Sequence, residues 1–405
     1  MNHSQHANTD RISGINMQFN FDEPLNRRGS NSYKWDSVDD EKMLPMWLAD
    51  MDFPTAPVII DALHERVAHG AFGYTKVPER YHNAVTNWFA TRHNFRFNAG
   101  SVLFTTGVVP ALSAIIQALV KPGEGVIVPM PAYNCFFSSI RNSKCLQISS
   151  PLKNDAGDFS FDFDDIAVKA ADPNNTMLLL CNPHNPVGRS WTADELTQLG
   201  EICFQNNVIV LSDEIHCDLL MPGQHHIPFA SLGDLFLKNS ITCSSPSKSF
   251  NLAGLHVANI LVDDEGFRER IDRQLNINEV CEISPFAVTA LIAAYENGAP
   301  WLDALRDYLA TNVKTVIEFI ERQLPMITVT PLQATYLLWL DCRSLSISSK
   351  LLSEKLYSEQ HLWLTDGNVY GAEGEGFLRM NIATNRARVL DGLKRLESTI
   401  IELTR

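Results

Sequence analysis

The sequence predicts an α/β fold in which helices cover both faces of a mostly parallel sheet. From about residue 57, helical segments alternate with short apolar runs, the pattern of strand and helix repeats. The runs are continuously apolar rather than alternating, which indicates strands buried on both faces. The six candidate strands are SVLFTT (101–106), EGVIVP (124–129), TMLLLC (176–181), VIVLSD (208–213), SITCSS (240–245) and VANILV (257–262).

The segments between these runs carry apolar residues every three to four positions, which is typical of amphipathic helices. They include APVIIDALHERVAHG, PALSAIIQALV and TADELTQLGEICFQNN. The last segment opens with Thr192 and Glu195 at the spacing of a capping box, so a helix is expected to begin there.

The pattern changes after about residue 285, where longer helical segments appear. They are WLDALRDYLATNVKTVIEFIERQL, a stretch near 349–360 and a final stretch from Ala387, with the apolar run ATYLLWLD among them. We therefore predict a large domain over 56–290 and a smaller α+β domain over 291–405. Residues 1–55 are irregular and cannot bury much surface alone, so we expect them to pack against the smaller domain.

The composition predicts a globular protein and argues against nucleic acid and membranes as partners. The chain has 405 residues, 45% hydrophobic and 20% charged, with a formal net charge of -14. This charge disfavours binding to nucleic acid or to anionic membranes. The start, MNHSQHANTDRISG, does not resemble a secretory signal and no apolar run is long enough to span a bilayer, so we expect a cytoplasmic protein.

Cysteine and histidine spacing gives no sign of a disulfide framework or of a metal site. The eight cysteines show no CxxC spacing, and the twelve histidines are dispersed. His225 and His226 are adjacent in MPGQHHIP, a stretch that we interpret as a solvated loop, because a metal site needs further ligands.

Polar residues follow several of the predicted strands, where an open parallel sheet binds its ligands. After SVLFTT, Gly107 permits a tight turn, and the amides of Val108 and Val109 begin a helix whose dipole suits a phosphate. By itself this signal is weak, since many such turns bind nothing. After TMLLLC, Asn182 and Asn185 of NPHNPVG offer side-chain amides, although a stiff turn explains the motif equally well.

An acid and a lysine follow two further strands. Asp213 could cap a helix or could hold a proton on a heteroaromatic nitrogen. Lys248, flanked by Ser245 and Ser247, would need its pKa to fall from about 10.4 to roughly 7–8 to act as a nucleophile, a cost of about 4 kcal/mol. An aldehyde cofactor removes most of this difficulty. The combined set predicts pyridoxal phosphate (PLP) held by Lys248 as a Schiff base.

Eight motifs between about residues 20 and 400 carry a family resemblance. They are NRRGSNSYKWD, LPMWLADMDF, FGYT, TTGVVPAL, NPHNPVGR, SDEIHCDL, SPSKSFNLAGL and GEGFLRMNIAT. With these motifs the sequence resembles fold-type I PLP enzymes of the class I/II aminotransferase superfamily, and more closely the MalY/PatB-type cystathionine β-lyase branch. The resemblance implies a seven-stranded, mostly parallel sheet and a carbon–sulfur β-lyase.

The resemblance also implies roles for residues around the cofactor ring and the substrate. Lys248 is the lysine that carries the cofactor, Asp213 pairs with the pyridine nitrogen, and Tyr133 stacks on the ring. Asn185 hydrogen-bonds the ring hydroxyl and contacts the substrate. Arg379 matches the arginine that grips the substrate α-carboxylate.

Further implied positions lie around the phosphate and at the edge of the site. Ser245, Ser247 and the amides of 107–109 would hold the phosphate, and His216 stands near the cofactor where many aminotransferases carry tyrosine. Tyr74 corresponds to a tyrosine that reaches the cofactor of a partner subunit, which implies a homodimer with shared active sites. His256 replaces a residue that is usually neutral in this branch, and its effect on cofactor affinity stays open.

The implied reaction is α,β-elimination from an L-cysteine S-conjugate such as L-cystathionine. Lys248 removes the Cα proton, and the products are pyruvate, ammonia and a thiol, which is homocysteine from cystathionine. Tyr74 or Tyr133 could protonate the departing sulfur, and the sequence does not choose between them. Two alternatives stay open: an aminotransferase, and a lyase with a second role in restraining a transcriptional activator, as one member of this branch does.

Overall fold

The computed structural model describes residues 19–404, so the start of the predicted N-terminal segment, residues 1–18, lies outside the described residues. The strands are β1 (Leu44–Pro45), β2 (Val102–Thr105), β3 (Gly125–Met130), β4 (Leu146–Pro151), β5 (Lys153–Asp155), β6 (Asp158–Ser160), β7 (Asn175–Cys181), β8 (Ile209–Asp213), β9 (Ser240–Ser244), β10 (Ala258–Leu261), β11 (Thr328–Val329), β12 (Leu337–Asp341), β13 (Leu362–Trp363), β14 (Thr365–Asp366) and β15 (Phe377–Asn381).

The α-helices are α1 (Pro57–His69), α2 (Glu79–Arg92), α3 (Val108–Leu119), α4 (Asn134–Asn142), α5 (Phe163–Ala170), α6 (Ala193–Gln205), α7 (Asp234–Lys238), α8 (Pro246–Ser249), α9 (Glu265–Ile277), α10 (Pro285–Asn297), α11 (Ala299–Gln323), α12 (Ser349–Glu359) and α13 (Arg386–Thr404). The predicted start of α6 is confirmed, because Thr192 and Glu195 form both hydrogen bonds of a capping box. None of the helices within 19–404 has the length and apolar character needed to cross a membrane.

A seven-stranded sheet with the order β2-β10-β9-β8-β7-β3-β4 forms the centre of the molecule. All six apolar runs form strands in it. The pairs from β9 across to β4 are parallel, whereas β10 runs antiparallel to both β2 and β9. Strand β4 escaped the residue-level prediction because it is an edge strand whose side chains are mostly exposed or half-buried.

Helices cover both faces of this sheet, as the continuous apolar strands predict. Along β3, Val126 and Val128 pack into one buried cluster with residues of α3, α4 and α9. Ile127, between them, packs into a second cluster with residues of α5 and α6. Neighbouring strands hold Cys181 of β7, Asp213 of β8 and Cys243 of β9 in register, so the segments that follow them leave the sheet side by side.

A four-stranded antiparallel sheet, β11-β12-β15-β14, packs with α11, α12 and α13 in the C-terminal part of the chain. The N-terminal segment joins this part, since β1 pairs in parallel with β13 and the Asn381 amide donates to the Met46 carbonyl. Helix α10 packs against α1 and α2. The domain boundaries drawn from the sequence stay a prediction.

Candidate active site

A cavity of about 320 Å³ opens beyond the carboxyl ends of the central strands. Several of the side chains and backbone segments predicted from the sequence meet there. The lining residues used below are Ala49, Gly107, Val108, Val109, Tyr133, Asn185, Asp213, His216, Ser247, Lys248 and His256.

Lys248 lies in the one-turn helix α8, directly after β9. Its Nζ donates a hydrogen bond of 2.6 Å to the carbonyl oxygen of Ala49. Burial and the positive charge of Arg379 together lower the pKa of Lys248 to about 8, against the opposing effect of Asp50. A minority of the amine is therefore unprotonated at physiological pH, a far larger share than for an ordinary lysine, and this free base is the form that a nucleophile or a proton acceptor requires.

Asp213 lies at the last position of β8 and is buried. One of its oxygens accepts a hydrogen bond from the amide of Ile215 at 3.1 Å. Burial raises the pKa of Asp213 to about 7. Within residues 19–404 no cationic side chain forms an ion pair with it, so a protonated heteroaromatic nitrogen in the cavity would supply the missing partner.

Arg379 of β15 reaches the same place from the C-terminal sheet. Its guanidinium donates to the Asn185 side chain at 3.1 Å and to the Trp47 carbonyl at 2.8 Å, and it lies 4.8 Å from the ring of Tyr370. Its Nε is buried without a hydrogen-bond partner among the described residues, and no carboxylate within them pairs with the charge. The guanidinium is thus available to bind an anion such as a carboxylate.

The start of α3 forms one end of the cavity. Gly107 precedes its first turn, and Val108 and Val109 supply backbone N–H groups that have no partner within the helix. A phosphate fits at such a helix start, since the helix dipole is positive there. Ser247 and His256 line the same cavity, which brings two further polar side chains to this region.

Tyr133 and His216 also line the cavity. Burial raises the pKa of Tyr133, so its hydroxyl stays protonated at neutral pH. Burial, together with the charges of Lys248 and Arg379, lowers the pKa of His216 to about 3. Both rings are therefore neutral near the lysine.

Three of the residues predicted for the site do not line the cavity itself: Arg379, which contacts the lining residue Asn185, and Ser245 and Tyr74. The Ser245 hydroxyl accepts from the Ser247 amide and donates to the Val257 carbonyl at 2.6 Å, so it caps α8. Tyr74 is 98% exposed and lies beside Phe72 at the surface. A contact of Ser245 with the phosphate and a contact of Tyr74 with a partner subunit stay predictions.

Two residues of the site escaped the sequence reasoning. Ala49 presents its carbonyl to Lys248, and the Tyr336 hydroxyl donates to the same carbonyl at 3.0 Å. Both belong to quoted stretches, LPMWLADMDF and ATYLLWLD, but a backbone carbonyl and a buried tyrosine carry no distinctive spacing. Only the packing of the two sheets shows that they meet.

The interpretation of the HH pair as a solvated loop is wrong for His226. His225 is exposed, whereas His226 is buried, with its Nε2 2.9 Å from Glu214. The buried carboxylate needs donors, and His226 together with the Phe229 amide supplies them.

The residues of the cavity fit pyridoxal phosphate. A buried acid without a cationic partner suits the ring nitrogen, the start of α3 suits the phosphate, and a lysine with a lowered pKa suits the aldehyde. The cavity also has the size expected for a small cofactor.

Comparison with known proteins agrees with this geometry. Residues 43–396 match the family model "Aminotransferase class I and II". The chain is 40% identical to cystathionine β-lyase PatB of Bacillus subtilis, covering 94% of this chain and 100% of PatB. It is 34% identical to protein MalY of Escherichia coli, covering 94% and 99%. The solved PLP-bound C-S lyase of Staphylococcus hominis superimposes with a TM-score of 0.89 at 32% identity, covering 96% and 100%.

Proposed function

The chain belongs to the class I and II aminotransferase family, and we propose that it is a PLP-dependent carbon–sulfur β-lyase that cleaves L-cystathionine and related L-cysteine S-conjugates. The products are pyruvate, ammonia and a thiol, which is homocysteine from cystathionine. The observation that carries the proposal is a buried lysine of lowered pKa in the cavity, together with Arg379, which contacts the lining residue Asn185 and lacks a carboxylate partner among the described residues. The cystathionine β-lyase relative makes the lyase better supported than an aminotransferase.

Arg379 and Asn185 position the substrate. The guanidinium binds the α-carboxylate in the bidentate manner that its planar fork permits. The Asn185 side chain and the Trp47 carbonyl hold the guanidinium on two sides, so the substrate is oriented by a group that is itself fixed. Because Asn185 and Lys248 line the same cavity, we expect a substrate held in this way to present its Cα to Lys248.

Lys248 moves the proton at Cα. When bound, PLP supplies an electron sink that makes this proton acidic. With its pKa lowered to about 8, the Lys248 amine is a competent base near neutral pH. The Ala49 carbonyl, at 2.6 Å, holds the amine in place before the substrate arrives.

Tyr133 is the in-chain donor for the departing sulfur. Its hydroxyl keeps its proton at neutral pH because burial raises its pKa. The same cavity contains Lys248, whereas Tyr74 is at the surface of this chain. Loss of the β-thiolate and addition of water then give pyruvate and ammonia.

Tyr74 supports a homodimer with shared active sites. It is 98% exposed and Phe72 beside it is 53% exposed, an unusual degree of exposure for two neighbouring aromatic side chains. A second copy of the chain would cover them and bring Tyr74 to its cavity. We further place the protein in the cytoplasm, in keeping with the absence of any membrane-spanning helix among residues 19–404.

The test is a product assay in the absence of any keto acid. The protein is purified with PLP, L-cystathionine is added alone, and pyruvate and free thiol are measured together. Equimolar pyruvate and thiol are expected. No thiol release, together with amino transfer once a keto acid is supplied, would assign the protein to the aminotransferases.

A further inference from the structure

A second cavity, of about 510 Å³, lies beside the first and has no part in the proposed reaction. One short segment separates the two: His216 lines the first cavity, whereas Cys217 and Asp218 line the second. His93, which follows α2, and His226 line the second cavity as well.

Three different kinds of metal-ligand atom converge in this cavity. His93 Nε2, the Cys217 sulfur and an Asp218 carboxylate oxygen all lie within 4.8 Å of one another. The first and third of these atoms are already 2.9 Å apart. Ligand atoms around a tetrahedral zinc ion lie about 3–4 Å from one another, so movements of about 1 Å would let all three contact one ion.

His226 provides an independent sign of a ligand. Its side chain is fully buried, and its Nε2 lies 2.9 Å from a carboxylate oxygen of Glu214. Its Nδ1 is buried and has no hydrogen-bond partner among residues 19–404. With Nε2–H donating to the carboxylate, Nδ1 keeps a free lone pair. Histidines that bind metals are typically oriented in this way, by a carboxylate on the other ring nitrogen.

The position of this ring favours a shared site. The His226 and His93 rings lie 5.1 Å apart between centroids, in an edge-to-face arrangement, and both line the same cavity. His226 lies outside the group of three residues whose ligand atoms are within 4.8 Å of one another, so its ring would move toward them to complete a four-coordinate site.

The charges around the cavity favour a cation over an anion. Two arginines, Arg92 and Arg306, line it, but Asp303 contacts both, at 2.7 Å and 3.6 Å. Asp218 and Glu214 are buried nearby. Three carboxylates therefore lie near two guanidinium groups, and Asp218 is the one of the three that lines the cavity itself.

We propose that His93, Cys217, Asp218 and His226 form a binding site for a borderline-soft divalent cation, with zinc the best match. A thiolate, two imidazoles and a carboxylate are ligands that zinc accepts together, whereas magnesium and calcium prefer oxygen alone. Binding displaces the thiol proton of Cys217, and the proton that His93 Nε2 donates to Asp218 moves to Nδ1, which frees the Nε2 lone pair for the ion. The inference does not depend on the proposed lyase function.

Cys217 is the informative position to change. Asp218 also accepts hydrogen bonds from Trp88 and from Ser249, the neighbour of Lys248, so replacing it would disturb α8 as well as the metal. Cys217→Ser removes the sulfur ligand alone. Cys203→Ser is the matched control, since Cys203 is equally buried but lies in α6, in a separate core cluster.

The experiment uses the full chain with PLP bound, freed of metal with a chelator and then titrated with zinc chloride against a chromogenic zinc indicator. We expect one tightly bound zinc ion per chain, affinity at least about tenfold weaker in Cys217→Ser, and unchanged affinity in Cys203→Ser. Cobalt(II) serves as a second probe, because a thiolate ligand gives an absorption band that Cys217→Ser should lose.

Two results would overturn the proposal. One is the absence of stoichiometric zinc binding to the wild-type chain. The other is equal zinc affinity in the two cysteine variants, which would place the ion elsewhere. If Cys217→Ser fails to fold, as judged by thermal melting, His226→Gln takes its place, with the exposed neighbour changed in His225→Gln as its control.

Discussion

Two regions of the molecule bury charged side chains. In one region the charges form ion pairs, and in the other they do not. The first is a charge network formed by Arg27, Lys34, Asp50, Asp52 and Arg388. The Lys34 side chain is 1% exposed, yet its Nζ lies 3.2 Å from Asp52 and 3.6 Å from Asp50. Arg27 contacts the same two carboxylates at 2.7 Å and 3.1 Å. Every buried charge here has a partner of opposite sign.

The second region is the candidate active site, formed by the cavity and the adjoining Arg379, where the charges lack such partners. Arg379, Lys248 and Asp213 form no ion pair with any residue that the structure describes. The two titrating groups shift toward neutrality: burial raises the pKa of Asp213 to about 7 and lowers that of Lys248 to about 8.

The pKa of Asp52 shows how ion-pair partners change the effect of burial on a carboxyl group. Burial alone would raise it, but the charges of Lys34 and Arg27 and a hydrogen bond from Trp35 outweigh burial and lower it. Burial of a charge is costly wherever it occurs. A partner within the chain offsets that cost and stabilises the fold, whereas an uncompensated charge is held ready for a ligand.

The largest expected effect comes from removing the cavity lysine. In Lys248→Ala, pyruvate release from L-cystathionine should fall at least about 10³-fold, because the cofactor anchor and the base at Cα are lost together. Initial rates with PLP in excess measure this. Lys121→Ala, which removes an exposed lysine, is the control and should keep wild-type turnover. Wild-type rates in Lys248→Ala would refute the role given to this cavity.

The second-largest effect is expected from a substitution that disrupts the charge network. Asp52→Asn should lower the free energy of unfolding by about 3–5 kcal/mol at pH 7, because Lys34 and Arg27 would stay buried with one carboxylate fewer. The shift in the midpoint of urea unfolding measures it. The control is the exposed pair of Arg80 and Glu296, for which Arg80→Ala should cost less than about 1 kcal/mol. Equal shifts in the two variants would remove the distinction between the network and a surface pair.

The smallest effect concerns Asp213 in cofactor-free protein. Here the substitution should raise the free energy of unfolding, whereas Asp52→Asn lowers it. Its pKa is about 7 when folded and about 3.9 when unfolded, so wild-type stability falls as pH rises from about 4 to 7. Asp213→Asn should therefore stabilise this form at pH 8 by about 1–2 kcal/mol, since water in the open cavity reduces the full cost. Below about pH 4 the gain should vanish.

Thermal melting across this pH range compares the two regions directly. Because the pKa of Asp52 is lowered, its contribution is present above about pH 4 and is lost as pH falls through the folded pKa. Asp52→Asn should thus be most harmful at neutral pH, where Asp213→Asn is most beneficial. Destabilisation by both variants at pH 8 would contradict the comparison.

The sequence predicted much of the fold and of the site because both leave local signals. Parallel strands buried on both faces appear as continuous apolar runs, and the polar residue that follows each run marks the ligand edge. Asp213 and Lys248 were identified in this way, and both line the cavity. Strand β4 gave no such signal because half of its surface is exposed.

Contacts between distant segments left no signal in the sequence. Arg379 and Asn185 are 194 positions apart, and Lys248 and Ala49 are 199 apart. The convergence of His93 with Cys217 and Asp218, and the burial of His226, also left no signal, because His93 and His226 lie outside the motif SDEIHCDL that contains the other two residues.

The sequence by itself therefore determined the strands, the helices between them and the chemical identity of the groups at the strand ends. Only the tertiary structure decided which charges find partners and which do not. Local structure depends on the neighbours of a residue along the chain, whereas pKa values and ion pairing depend on burial and on distances through space. The chain order alone does not set those distances, and they separate a paired aspartate such as Asp52 from an unpaired one such as Asp213, to which we assign a role in binding the cofactor.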